Sequence, residues 1–87
     1  KANYPNPFNP TTVIPIEIPQ QLYVKAAIYN ILGQEIIVLL EGIHNPGYQN
    51  LQWHGTNQNG QQMSSGIYFV RVQYNKKIYL QKMMLLK

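Results

Sequence analysis

The sequence has no cysteine and no aspartate. Without thiols there is no disulfide and no thiolate metal site, and the redox compartment cannot be read. Charged side chains make up 11% of the chain, well below the usual ~25%. Polarity comes instead from amides, 10 Gln and 9 Asn among 87 residues. No apolar run approaches the ~18 residues that a membrane span needs. A chain of this length makes one domain, and area scaling buries roughly 64% of its unfolded surface. That supports one modest core, not a core plus a deep catalytic cavity. The chain opens on Lys1 rather than Met, and a module of a longer protein is the expected context.

Charge is uneven. Residues 1–41 hold Lys1 and Lys25 against Glu17, Glu35 and Glu41, whereas residues 42–87 hold Arg71, Lys76, Lys77, Lys82 and Lys87 and no acid. A basic C-terminal half can meet an anionic partner, but these cations are too sparse for a nucleic-acid surface.

Pro and Gly recur from position 5 to position 66 and leave almost no room for a helix. Period-2 alternation then defines strands. Ile14, Ile16 and Ile18 share one face of a strand over 12–18, and Pro15, with no N–H to give, places that strand at an edge. A strand over 22–30 turns Val24, Ala26 and Ile28 inward and Tyr23, Lys25, Ala27 and Tyr29 outward. Ile36, Val38 and Leu40 follow, then Leu51 and Trp53, then Tyr68, Val70 and Val72, and a last strand over 77–86. A further short strand is expected near Met63. Spacings of about ten residues predict an all-β fold, a sandwich of about seven antiparallel strands over 11–87. Residues 1–10 are too Pro-rich for a ladder and read as an extended, ordered arm, anchored by Phe8 between or beside the sheets.

No catalytic constellation emerges. His44 and His54 sit in or beside turns, and the three glutamates form no recognised pairing with them. The loop Gly55–Gly60 has the rhythm of a calcium site without its carboxylates, so Asn57 and Asn59 are expected to hold turns. No metal or cofactor is expected. Trp53 alternates with Leu51 and belongs in the core rather than on a sugar. The closing Lys82-Met83-Met84-Leu85-Leu86-Lys87 is apolar on both faces. Keeping Lys82 in water sends Met84 and Leu86 outward, which predicts a bulge or second packing surface near residue 83.

Several segments together resemble one family. Asn3-Tyr4-Pro5-Asn6-Pro7-Phe8-Asn9-Pro10-Thr11-Thr12 looks like the opening of C-terminal sorting domains of the type IX secretion system. The likeness continues at Tyr29-Asn30-Ile31-Leu32-Gly33-Gln34-Glu35, at Trp53-His54-Gly55 and at Ser65-Gly66-Ile67-Tyr68-Phe69-Val70-Arg71, and closes on Lys82–Lys87. An Ig-like module of flagellar hook-capping proteins is similar, but the closing segment fits the sorting domain better. The resemblance implies an Ig-like β-sandwich acting as a non-catalytic, monomeric export address behind a cargo domain. Its implied partners are an outer-membrane translocon and a sortase-like surface protease, and its route runs through the periplasm to the cell surface. Asn30, His54 and Asn57 stand where the family commonly has Asp, so no ion binding is carried over. The rival expectation is an accessory or carbohydrate-binding module of a secreted polysaccharide-degrading enzyme, which needs aligned exposed aromatics.

Overall fold

The computed structural model describes residues 11–86, and the expected arm with its Phe8 anchor lies outside them. Six strands follow in order: β1 (Thr12–Ile18), β2 (Leu22–Asn30), β3 (Glu35–His44), β4 (Gly47–Trp53), β5 (Gly66–Tyr74) and β6 (Lys77–Leu85). They form two antiparallel sheets, a pair β1-β4 and a four-stranded sheet in the order β3-β2-β5-β6. The expected short strand near Met63 is instead a single bridge between Thr56 and Gln62. Around the bridge the loop closes on itself, the Asn57 and Met63 N–H groups donating to the Gln61 and Gly55 carbonyls and the Asn57 side-chain oxygen accepting from Asn59 and Gln61.

The alternating apolar residues make the core. Ile14, Ile16 and Ile18 of β1 and Leu51 and Trp53 of β4 face Val24, Ala26 and Ile28 of β2 and Tyr68, Val70 and Val72 of β5. The β5 alternation carries on to Tyr74, and Leu85 of β6 closes one end, so both join the core beyond the expected set. Pro15 lies on a strand that pairs only with β4 among the described residues, as its missing N–H requires.

Three local expectations need correction. Ala27, expected to face outward, is buried. The β2–β3 register shifts between Ala26 and Ala27, and the small side chain stands between its ladder neighbours Val38 and Arg71. In β3, Ile36, Val38 and Leu40 are only half-buried, as are Ile37 and Leu39 between them. An edge strand crossing two register shifts shares its apolar surface between both faces. In β6 there is no bulge. The ladder with β5 runs unbroken from Tyr74–Lys77 to Gly66–Leu85, and Met84 and Leu86 remain exposed beside Lys82.

Candidate functional site

The two edges of the large sheet are treated differently. Along β3, the loop before β5 caps the edge. The Gln58 amide N–H donates to the Ile36 carbonyl at 3.0 Å, and its side-chain oxygen accepts from the Val38 N–H at 3.3 Å. Among the described residues β6 has no such cover and pairs only with β5. An uncovered edge is a ready template for another strand.

Strand β6 divides the closing segment cleanly. Met83, opposite Tyr68, is half-buried against the core, and Leu85, opposite Gly66, is 3% exposed. Lys82 stands outward opposite Phe69, and Met84, opposite Ile67, is 63% exposed. Leu86 follows the strand and is also exposed, and Lys87 lies outside the described residues. Ile78 and Leu80 extend the outward apolar row along the same face. Residues 82–86 are thus two structural anchors interleaved with an outward cation and two outward apolar groups.

The remaining signature residues hold the fold. Trp53 is 1% exposed; its Nε1 donates to the Thr56 carbonyl at 2.8 Å, and its ring meets Tyr68 edge-on at 5.1 Å. A sugar has no access to that indole face. The Tyr68 hydroxyl donates to the Ser64 carbonyl at 2.8 Å, and Gly66 begins β5. Gly33 closes the β2–β3 turn at φ +79°, a left-handed conformation that glycine adopts without strain. The opening residues Asn6, Pro7, Phe8, Asn9 and Pro10 lie outside the described residues.

Two loops use one construction. In Asn30-Ile31-Leu32-Gly33-Gln34 the Asn30 side-chain oxygen accepts from the N–H groups of Leu32 and Gln34, and its amide donates to the Gln34 side chain. In Asn57-Gln58-Asn59-Gly60-Gln61, Asn57 does the same with Asn59 and Gln61. The amide dipole therefore fills the role expected of Asn57, holding a turn. The pairing of two loops had a sequence signal, Asn-x-x-Gly-Gln repeated.

The titratable groups are dispersed. The His54 ring meets the Thr11 hydroxyl at 3.2 Å and the His44 ring meets the Gln49 amide at 3.3 Å. Lys25 and Glu35 form an ion pair at 2.9 Å, which holds the Glu35 carboxyl below its ordinary range and the Lys25 ammonium above its own. The Tyr23 hydroxyl donates to Glu41 at 2.6 Å, which raises its pKa. Among the described residues no three of His and Glu gather as a metal site would require.

One feature escaped sequence reasoning. Between β1 and the inner face of β6 runs a groove of about 870 Å³, floored by Val70 and Val72 and reached by Lys76 and Lys77. It lies where β1 of the small sheet meets β5 and β6 of the large one, and no local residue pattern links those strands.

Residues 11–77 match the family model of the FlgD Ig-like domain. The chain belongs to the FlgD Ig-like domain family. No curated protein and no solved structure matches it. The FlgD Ig-like match takes in β1 to β5 and stops at the first residue of β6. The Asn-Pro-Phe-Asn-Pro opening and the Lys82–Lys87 close, on which the sorting resemblance leans most, fall outside it.

Proposed function

We propose that this Ig-like domain is a non-catalytic C-terminal sorting module that carries an attached protein through a type IX system across the outer membrane. The observation that supports the reading best is the composition of β6. Among the described residues it is an edge strand that pairs only with β5, and its closing residues point Lys82, Met84 and Leu86 at solvent while Met83 and Leu85 tie the strand to the core. Apolar side chains kept in water beside a lysine suit recognition by a second protein through strand addition and charge contact. In this reading the translocon recognises the folded module, and a sortase-like surface protease cuts upstream of it, releasing or anchoring the cargo at the cell surface.

The division of the segment sets the test. Removing residues 83–87 also removes the core side chain Leu85, so truncation mixes recognition with stability. Lys82→Glu, Met84→Ser and Leu86→Ser together alter only outward positions. A secreted reporter fused to this variant should accumulate, folded, in the periplasm of a type IX-competent cell, whereas the parent fusion reaches the surface. Export of the folded triple variant at the parent level contradicts a sorting role for β6.

A further inference from the structure

Among the described residues the sandwich is closed on one side and open on the other. A tight turn between His44 and Gly47 joins β3 to β4, and the Gln58 loop seals the β3 edge. On the opposite side, among the described residues, β1 has a free edge and no further strand of the small sheet lies beside it over the start of β6. The space between them is the groove already described, and its apolar walls include Ile14, Ile16, Val70, Val72 and Tyr79. Tyr79 is 55% exposed although its row on β6 faces inward. A third strand beside β1 would cover that row.

The polar end of the groove is one-signed. Asn75, at φ +56°, turns the chain between β5 and β6 and presents Lys76 and Lys77 at the mouth. Both side chains are exposed, and neither has a carboxylate partner among the described residues. Glu17, the one acid on the lining, is not within ion-pair distance of either. Adjacent cations beside an apolar trough select an extended segment bearing both apolar side chains and carboxylates.

We propose that the β1–β6 groove is a peptide site that takes an extended, acidic, apolar-alternating segment of another protein as a third strand beside β1. Alternate side chains of the segment enter the trough, and carboxylates at its end beside the β5–β6 turn reach Lys76 and Lys77. Pro15, on the strand that receives it, offers no N–H, so the ladder is incomplete and apolar burial and charge carry the affinity. The site is separate from the outward row at Lys82, Met84 and Leu86, and the proposal does not depend on the export reading.

The probe is a synthetic, end-capped, fluorescein-labelled decapeptide alternating Val with Glu, titrated by anisotropy against the full chain. Saturable binding is expected, weakening as salt rises. Lys76→Gln/Lys77→Gln, at an exposed turn residue and the exposed first residue of β6, should bind about tenfold more weakly, with its thermal unfolding unchanged. Amide and methyl shifts should move at Ile14, Ile16, Val70 and Val72. Absence of saturable binding overturns the proposal, as does equal binding of a Val–Lys decapeptide. So do shifts confined to the outward row of β6. Self-association of the chain through this face, or displacement of residues 1–10 from the groove by the peptide, would likewise identify a different occupant.

Discussion

The Tyr74 hydroxyl, at the end of β5, donates a 2.7 Å hydrogen bond to the Glu17 carbonyl of β1. It is a polar tie from the large sheet to the small one, beside the open groove. Burial raises the Tyr74 pKa above the ordinary tyrosine value, because the phenolate would lose water and this bond. Tyr74→Phe should cost about 1–2 kcal/mol, since it strands the Glu17 acceptor near the core edge. Urea unfolding at neutral pH checks it.

The same residue sets a sign for alkaline stability. The folded state holds the Tyr74 proton more tightly than the unfolded chain does, so this contribution is intact below the unfolded value of about 10 and is lost as pH rises beyond it. Tyr23 and Lys25, also shifted upward, push in the same direction. The parent should lose stability above about pH 10, and Tyr74→Phe should lose it less steeply. A parallel decline in both proteins from pH 9 to 11 would remove Tyr74 from the account.

Trp53→Ala should cost about 3–5 kcal/mol, because it empties the space between the sheets and leaves the Thr56 carbonyl and Tyr68 ring without their partner. A cost below about 1 kcal/mol would mean that the indole is not a core group. Export of a Trp53→Ala fusion should fall only in proportion to the folded fraction.

The paired loops predict a specific tolerance. Asn30→Ala and Asn57→Ala each remove a side-chain acceptor for two backbone N–H groups and should each cost about 1–2 kcal/mol. Asn30→Asp and Asn57→Asp keep that oxygen and should stay within about 0.5 kcal/mol of the parent. Chemical denaturation of the four variants distinguishes an oxygen requirement from an amide requirement.

Most of the fold was legible because side-chain alternation is a local property. Ile14-Ile16-Ile18 and Tyr68-Val70-Val72 each repeat at the strand period, and each lies in the core. Where period and burial parted, the cause was tertiary. Ala27 is buried by a register shift and larger neighbours, and no feature of Lys25-Ala26-Ala27-Ile28 announces that shift. The bulge expected near Met83 assumed that Met84 and Leu86 must be covered. The unbroken ladder leaves them exposed, so what read as a packing problem is a surface feature. The groove was illegible for a stronger reason: Ile16 of the small sheet is far in sequence from Val72 and Lys77 of the large one, and they share a groove only through the packing of the two sheets.

The sorting role is tested most directly by transfer. A periplasmic reporter that lacks any export address is fused at its C-terminus to residues 1–87 and expressed in a type IX-competent cell and in its translocon-deficient derivative. The account predicts reporter at the surface or in the medium only when the module is attached and the translocon is present. Retention of the reporter in the periplasm behind a folded module, or its escape from the translocon-deficient cell, would contradict it.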